Sequence, residues 1–350
     1  MRIAQIAPLT ESVPPRTYGG TERVVSYLTE ELIEMGHDVT LFASGDSVTG
    51  AKLEAVWPCA LRFDSTLIDA IAPQMLLMET VYQRADEFDV LHCHLDYFPF
   101  SLFSRQPTPF ITTLHGRLDL RELRRIYSRF EDVPLVSISD AQRRPMPRSN
   151  FIGTVHHGLP PDLLTPRPMA RDYLAFLGRI CPEKSPDRAI RIARAAGMKL
   201  KIAAKVDRVD QGYFETTIRP MIDGDQIEMI GEIDDAAKPA FLSGARALLL
   251  PIDWPEPFGL VMIEAMACGT PTIAFPAGSV PELIDHAVTG YVVADEAAAV
   301  DAVGRLDQLS NTAIRTRFEQ RFTARRMAED YLALYRRLVV RTRPTLRVVT

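Results

Sequence analysis

The chain has 350 residues, of which 47% are hydrophobic and 24% are charged, as in ordinary soluble globular proteins. At about 150 residues per domain, this length predicts two domains. The 40 basic and 45 acidic residues give a net charge of −5, which argues against a nucleic-acid-binding protein.

The first half of the chain alternates strand-like and helical patterns. Residues 2–7 form a short apolar run, and after a loop apolar residues recur at helical spacing over 21–35. We expect Thr21 to cap this helix and Gly36 to end it. With a strand over 38–44, the βαβ unit predicts a parallel sheet. Further strands of this half are expected at 89–92, 110–114 and 134–138.

The same alternation restarts near residue 172. A buried strand, a loop and a helix over 186–196 precede four more strand patterns, KLKIAA, IEMIG, ALLLPI and PTIAF. The stretch 158–172 holds four prolines and is therefore the best linker candidate. A single long amphipathic helix is expected over 311–340.

These patterns predict an α/β protein with two Rossmann-like, doubly wound parallel-sheet domains that face a central cleft. We place the N-terminal domain at 1–165, the C-terminal domain at 166–320, and a helix that packs back across the domains at 321–350. No segment is apolar enough to span a membrane. Four scattered cysteines without a CxxC pair indicate a reduced, cytoplasmic protein.

The segment 254–271 carries the strongest functional signal. A strand leads into a proline-bounded turn and then a helix that starts near Gly259 and stops at Gly269, so free N–H groups at the helix start can bind an anion. Glu256 and Glu264 are eight residues apart, or about 12 Å along a helix. Only an extended ligand, such as a sugar nucleotide, would contact both carboxylates. The alternative, two ordinary surface glutamates, is disfavoured by the apolar neighbours of Glu264.

Two cations lie in the loop after the buried strand that opens the second half. Arg179 offers a bidentate fork and Lys184 a point charge, a combination that suits a diphosphate. The alternative is that both cations form salt bridges with Glu183 or Asp187.

Two further strand ends in the first half carry candidate residues. Gly19 and Gly20 lie in the first βα turn, where glycine lets a ligand approach the backbone closely. They do not form the GxGxxG pattern of nicotinamide-dependent dehydrogenases. His115 ends an apolar strand, and its position is equally compatible with a site role and with a structural one.

With these motifs, nearly the whole chain resembles the family 4 retaining glycosyltransferases of the GT-B type. The matching residues are Gly19-Gly20-Thr21-Glu22, Thr113-Leu114-His115-Gly116, Leu177-Gly178-Arg179 with Glu183-Lys184, the E-x7-E stretch from Glu256 to Glu264, Ala267-Cys268-Gly269-Thr270-Pro271, Gly278-Ser279-Val280-Pro281-Glu282 and Thr289-Gly290.

The resemblance implies a role for each candidate residue. Arg179 and Lys184 would bind the donor diphosphate, Glu264 the ribose hydroxyls, and Glu256 the hydroxyls of the donor sugar. His115 would lie beside the reacting centre. The turn that would close over the phosphates is Gly19-Gly20. The backbone amides that would hold the sugar belong to Phe258, Gly259 and Leu260.

The resemblance also implies the reaction: a hexose moves from a nucleotide-diphosphate sugar to an acceptor hydroxyl with retention, without a metal ion or a further cofactor. Front-face substitution is expected, in which the leaving phosphate oxygen helps to deprotonate the acceptor. UDP-glucose is the first expectation for the donor and GDP-mannose the next. The acceptor stays open between a glycan, a lipid-linked molecule and a small molecule. Same-fold epimerases or phosphorylases and a non-catalytic sugar-nucleotide-binding protein are the alternatives.

The chain departs from the family pattern at two places. His157 stands where members often have Asn, which leaves a role of that Asn in doubt. Ala204, followed by Lys205, stands where a strand-end glycine is common. That region lies near the nucleotide in relatives, so the donor base is left open.

Three other patterns suggest different chemistry. Asp223-Gly224-Asp225 matches a DxD metal motif, although a Gly-centred turn is favoured. His92 and His94 would share a strand face, but without a further ligand we favour structural roles. The helix 117–129 carries five arginines. They form either a solvated, salt-bridged face or a binding surface. Such a surface would contact anionic lipid at the inner membrane face or a phosphorylated acceptor.

Overall fold

The computed structural model describes residues 1–16 and 19–342, which form two compact units. Unit 1 comprises Met1–Gly158 together with the C-terminal segment that starts at Ala324, and unit 2 comprises Leu159–Thr323. The boundaries thus differ from the predicted 165/166 and 320/321. The reason is that the Leu159 N–H donates to the carbonyl of Phe322 at 2.9 Å, which ties the start of unit 2 to its end.

Unit 1 is built on a sheet whose strands all run parallel. The strands are β1 (Arg2–Ile6), β2 (Asp38–Ser44), β3 (Lys52–Trp57), β4 (Val90–Cys93), β5 (Phe110–Thr113), β6 (Leu135–Ser137) and β7 (Phe151–Thr154). Their order is β3-β2-β1-β4-β5-β6-β7. The central strand β1 buries Ile3, Ala4 and Ile6 completely, which explains its mostly apolar pattern, and it also buries the polar Gln5.

Five helices of unit 1 lie between these strands along the chain. They are α1 (Gly20–Glu34), α2 (Ile71–Gln83), α3 (Phe100–Phe103), α4 (Arg121–Arg129) and α5 (Asp140–Arg143). The expectation that Thr21 caps α1 is wrong, because the helix already begins at Gly20 and Gly19 occupies the cap position without a side-chain hydrogen bond. Gly36 follows the helix with a φ of 82°, as a helix end requires.

Unit 2 repeats the parallel α/β arrangement. Its strands are β8 (Tyr173–Arg179), β9 (Lys199–Lys205), β10 (Ile227–Met229), β11 (Ala245–Leu250), β12 (Thr272–Ala274) and β13 (Gly290–Val292), in the order β10-β9-β8-β11-β12-β13. Its helices are α6 (Pro186–Ala195), α7 (Gln211–Tyr213), α8 (Lys238–Ser243), α9 (Leu260–Ala267), α10 (Val280–Leu283), α11 (Glu296–Val303) and α12 (Asn311–Arg321). The prediction of two parallel-sheet α/β domains is confirmed.

The predicted single helix over 311–340 is wrong, because two helices occupy this stretch. The helix α12 ends at Arg321, and a last helix, α13 (Ala324–Thr342), belongs to unit 1 and packs against α1. The break falls at Phe322 and Thr323, where the backbone pairs with Leu159 instead of continuing the helix. The chain therefore returns to unit 1 at this break.

The sequence pattern did not predict three of the four edge strands, which are β3, β7 and β13. The strand β3 is only partly buried, and β13 has three residues, so neither presents the apolar run of a central strand. Among the described residues, no helix is both long enough and apolar enough to cross a bilayer.

Candidate functional site

In unit 2, the loop from Trp254 to Gly259 joins β11 to α9. Gly259 stands at the helix N-terminus with a φ of 82°, a left-handed conformation that only glycine adopts readily. Gly269, with a φ of 65°, follows the helix end. The two glycines therefore bound the helix as the sequence predicts. The free N–H groups of its first turn lie beside this loop.

Glu256 is held in this loop by two polar partners. Its carboxylate forms an ion pair with Lys184, and its Oε2 accepts a hydrogen bond from Trp254 Nε1 at 3.1 Å. The Lys184 Nζ also lies 5.2 Å from the centre of the Trp254 ring. Glu256 is 7% exposed, so its carboxylate is fixed before any ligand arrives. Lys184 thus pairs with Glu256. The alternative interpretation, a salt bridge from Lys184 to Glu183 or Asp187, is wrong.

Glu264 lies within α9 and is 4% exposed. Its Oε1 accepts a hydrogen bond from Lys238 Nζ at 2.7 Å, and the same ammonium lies 3.0 Å from Asp235. A buried carboxylate needs such a cation, because an unpaired charge in this position would be costly. The interpretation of Glu256 and Glu264 as solvated surface residues is therefore wrong.

The loop at Gly278 packs directly on the Glu256 segment. A Cβ at Gly278 would lie 2.3 Å from the backbone N and O of Glu256, and the φ of Gly278 is 58°. Ser279 N–H donates to the carbonyl of Glu256 at 3.0 Å, and Ser279 Oγ donates to the carbonyl of Phe258 at 2.7 Å. The loop thereby fixes the backbone on which the Glu256 side chain stands.

Arg179 ends β8 and is neighboured by the end of β9. Its guanidinium lies 3.3 Å from Asp207 and 3.9 Å from Asp210, and Lys205 Nζ lies 3.0 Å from Asp207. Hydrogen bonding to Lys205, followed by that to Arg179, lowers the pKa of Asp207. Arg179 is thus paired as well, but with Asp207 and not with Glu183 or Asp187.

In unit 1, His115 follows β5 and contacts two other histidines. His115 Nε2 lies 2.9 Å from Nδ1 of His94, and its ring stacks on that of His157 with 5.3 Å between the centres and 17° between the planes. Burial lowers the pKa of His115 to about 3 and the pKa values of His94 and His157 well below their usual range. All three rings are therefore neutral at physiological pH.

His92 and His94 lie side by side, and His92 has the structural partners that the sequence favoured. Their ring centres are 4.0 Å apart on one face of the sheet. His92 Nδ1 lies 2.6 Å from the Tyr335 hydroxyl and Nε2 lies 2.7 Å from Thr113 Oγ1. Within residues 1–16 and 19–342, no group of three or more His, Cys, Asp or Glu side chains could hold a metal ion.

The Gly19-Gly20 turn is packed tightly. A Cβ at Gly19 would lie 2.7 Å from Cβ of Pro15 and 3.2 Å from Oε2 of Glu22. Burial raises the pKa of Glu22 to about 7. The preceding residues Thr17 and Tyr18 lie outside the described part of the chain.

Asp223-Gly224-Asp225 forms the Gly-centred turn that the sequence favoured. Gly224 has a φ of 78°, and Asp223 Oδ1 accepts hydrogen bonds from the N–H groups of Asp225, Gln226 and Ile227. These donors lower the pKa of Asp223 to about 2. This carboxylate therefore stabilises the turn.

Several partners of the candidate residues were not found from the sequence. No local motif marks Lys238 or Asp207, because each meets its partner only through the fold. Two signals were available: the departure at Ala204-Lys205 marked the strand end where Lys205 and Asp207 pair, and the departure at His157 marked the ring that stacks on His115.

Comparisons with known proteins match both halves of the chain. The family model "Glycosyltransferase Family 4" matches residues 18–139, and "Glycosyl transferases group 1" matches residues 165–325. Phosphatidyl-myo-inositol mannosyltransferase from Mycobacterium leprae is 25% identical over 345 residues, which cover 91% of this chain and 90% of that protein.

Solved structures match over nearly the full length. Sucrose-phosphate synthase from Thermosynechococcus elongatus has a TM-score of 0.80 at 19% identity, with 97% of this chain and 99% of that chain covered. Anabaena HepE in complex with UDP-glucose has a TM-score of 0.73 at 16% identity, with 97% of this chain and 100% of that chain covered. At these identities the likeness shows the fold.

Proposed function

The chain is a glycosyltransferase of the group 1, family 4 type with the GT-B fold, and we propose that it transfers a hexose from a nucleotide-diphosphate sugar with retention and without a metal ion. The observation that carries this proposal is the pair of buried glutamates of unit 2, each held by a lysine. UDP-glucose is the donor we favour, in line with the UDP-glucose complex of HepE. GDP-mannose is the next candidate.

The donor diphosphate would bind Arg179 and Lys184. These cations now pair with Asp207 and Glu256, so an arriving diphosphate would replace carboxylates as their partner. The exchange would stabilise the charge that develops on the leaving diphosphate, which is the largest electrostatic demand of the reaction. With two protein cations and a helix N-terminus in this position, the step would need no metal or further cofactor.

Glu256, once released from Lys184, would accept hydrogen bonds from the donor-sugar hydroxyls. Glu264 would do the same for the ribose hydroxyls, and both carboxylates are already fixed by burial. We do not assign Glu256 as a covalent nucleophile. The leaving phosphate oxygen would instead help to deprotonate the acceptor hydroxyl on the same face of the sugar. The amides that would hold the sugar belong to Phe258, Gly259 and Leu260.

Unit 1 would contribute the remaining groups. His115 would contact the donor sugar with its neutral ring, because burial keeps its pKa at about 3. The Gly19-Gly20 turn would close over the phosphates.

Nucleotide binding tests the diphosphate assignment. Lys184→Ala should weaken binding of UDP far more than binding of uridine, measured by calorimetry with and without Mg²⁺. Lys199→Ala is the matched control, because Lys199 is an exposed lysine of the same unit, 3.7 Å from Asp225. Equal losses for UDP and uridine would contradict the assignment. A strict Mg²⁺ requirement would contradict metal independence.

Product analysis tests the reaction. With UDP-glucose and a panel of hydroxyl acceptors, we expect a new α-linked product together with UDP. Epimerised donor, or glucose 1-phosphate formed only with inorganic phosphate, would assign the epimerase or phosphorylase reaction instead. Nucleotide binding without any turnover would indicate a binding protein.

The helix α4 presents a row of arginines that could bind a membrane surface. Arg121, Arg124, Arg125 and Arg129 are exposed, and no ion pair to their guanidiniums is found among the described residues. Arg117, by contrast, pairs with Asp119 at 2.7 Å. We propose that α4 contacts an anionic membrane surface on the cytoplasmic side. The four cysteines are free thiols, which fits a reducing compartment.

Vesicle co-sedimentation tests this contact. The protein should bind vesicles that contain an anionic phospholipid more than purely zwitterionic vesicles, and added salt should weaken that binding. Replacing Arg124 and Arg125 with glutamine should abolish the difference, whereas Arg117→Gln should not. Equal binding to both vesicle types would refute the proposal.

A further inference from the structure

A continuous line of hydrogen-bonded side chains runs through the interior of unit 1 and ends at His115. Tyr335 of α13 and Gln5 of β1 lie 3.1 Å apart, from hydroxyl to Nε2. Gln5 Oε1 lies 2.9 Å from His94 Nε2, and His94 Nδ1 lies 2.9 Å from His115 Nε2. Gln5, His94 and Tyr335 are 0–3% exposed. The line therefore connects the sheet centre to the ring that we place beside the donor sugar.

The direction of each hydrogen bond follows from the Gln5 amide. Gln5 Nε2 donates to the Tyr335 hydroxyl, so its carbonyl oxygen Oε1 faces His94 and can only accept. His94 Nε2 must therefore carry a hydrogen. Burial lowers the pKa of His94 well below its usual range, so the neutral ring has no hydrogen on Nδ1. His94 Nδ1 then accepts from His115, whose hydrogen lies on Nε2.

The remaining nitrogen of His115 supports this direction. His115 Nδ1 is buried and has no hydrogen-bond partner within residues 1–16 and 19–342. If Gln5 were turned over, every bond in the line would reverse and His115 Nδ1 would carry a hydrogen without an acceptor. Buried N–H groups without an acceptor are rare in native proteins, more so than under-used acceptors.

We propose that Gln5, acting through His94, holds His115 in the tautomer with its hydrogen on Nε2, so that Nδ1 accepts a hydrogen bond from a sugar hydroxyl. Gln5 and His94 are positioning residues in this account. The tautomer is a property of unit 1 itself. Its consequence for the donor sugar rests on the proposed function.

Nitrogen NMR of the ¹⁵N-histidine-labelled protein tests the proposal without any substrate. The signals of His115 are assigned by their loss in His115→Gln. In the wild-type protein we expect His115 Nδ1 to give the shift of an unprotonated ring nitrogen and Nε2 that of a protonated one. The reverse pattern in the wild-type protein would overturn the proposal.

Three variants separate Gln5 from general effects on the interior. Gln5→Met removes both polar ends of the amide, and Tyr335→Phe removes only the hydroxyl that orients it. Each should give a mixture of His115 tautomers. Tyr127→Phe is the matched control, because Tyr127 of α4 is a buried tyrosine of the same unit whose hydroxyl has no hydrogen-bond partner within residues 1–16 and 19–342. It should leave the tautomer unchanged.

The results have distinct meanings. An unchanged tautomer in both Gln5→Met and Tyr335→Phe would overturn the role of Gln5, and so would an equal change in Tyr127→Phe. If Gln5→Met does not fold, Tyr335→Phe and the wild-type spectrum still decide the outcome. A half-populated wrong tautomer should lower kcat/KM for the donor about twofold. A changed tautomer with unchanged kcat/KM would contradict the role of His115 in the proposed function, and not its tautomer.

Discussion

Gly278→Ala should reduce both the stability of unit 2 and its affinity for the donor. The new Cβ would lie 2.3 Å from the N and O atoms of Glu256 and 2.7 Å from the carbonyl carbon of Pro255. These neighbours are backbone atoms, which cannot rotate away as a side-chain end could. The segment that carries Glu256 must therefore move.

The size of the effect has two parts. A residue with a Cβ in the left-handed conformation of Gly278, at a φ of 58°, costs about 1–2 kcal/mol. Overpacking against the Glu256 backbone adds about 1–3 kcal/mol to that cost. In a domain of about 150–250 residues, each kcal/mol lowers the Tm by about 2–4 °C. A fall of at least about 4 °C is thus expected.

Gly197→Ala isolates the conformational part. Gly197 has a φ of 65°, but apart from its chain neighbours no atom of the described residues lies within 4 Å of the point that its Cβ would occupy. Alanine there therefore carries only the first cost. Thermal unfolding and the donor KM are measured for both variants. Gly278→Ala should lose more stability and raise the KM, whereas Gly197→Ala should leave the KM unchanged. If the two variants behave alike in both assays, the inference that the Gly278 loop positions Glu256 is wrong.

Three further predictions concern buried charges. Lys238→Met should lower the free energy of unfolding, measured by urea titration, by about 3 kcal/mol, because it removes the lysine that pairs with the buried Glu264. Lys199→Met removes an exposed pair and should lower it by less than about 1 kcal/mol. Glu22→Gln should raise the Tm at pH 8 but not at pH 4, since a folded-state pKa of about 7 makes the wild-type lose stability as the pH rises from 4.5 to 7. His115 acts in the opposite sense, because burial lowers its pKa from 6.5 to about 3. Its contribution to the free energy of unfolding is present above pH 6.5 and is lost as the pH falls. The variant His115→Gln should therefore lose less stability than the wild-type protein between pH 6.5 and 4.

The sequence predicted those features that depend on local pattern. Gly259 and Gly269 bound α9 because a left-handed backbone favours glycine, and that preference is visible in the sequence. Central strands such as β1 were found because burial on both faces demands an apolar run. The motif residues could therefore be placed at strand ends and at the start of a helix without a structure.

The missed features depend on contacts between distant residues. The apolar spacing around Phe322 continues across the helix break, where the backbone pairs with Leu159. Lys238 reaches Glu264 from 26 residues away, and Gln5 reaches Tyr335 from 330 residues away. No local pattern marks either pair, because each residue type is required by its distant partner and not by its neighbours in the sequence.

The same distinction explains why the motif residues alone did not describe the site. The resemblance gave Arg179, Lys184 and Glu264 as separate ligand contacts, but in the structure each is paired with an opposite charge. Pairing holds these buried and half-buried groups in place, since an unpaired charge there would be strongly disfavoured. A donor with a diphosphate at one end and hydroxyls at the other could exchange with these partners one for one. If these residues bind the donor as we propose, the site would favour a ligand with both chemistries over one that carries only the anion. Phosphate alone would free Glu256 without giving it a new donor of hydrogen bonds.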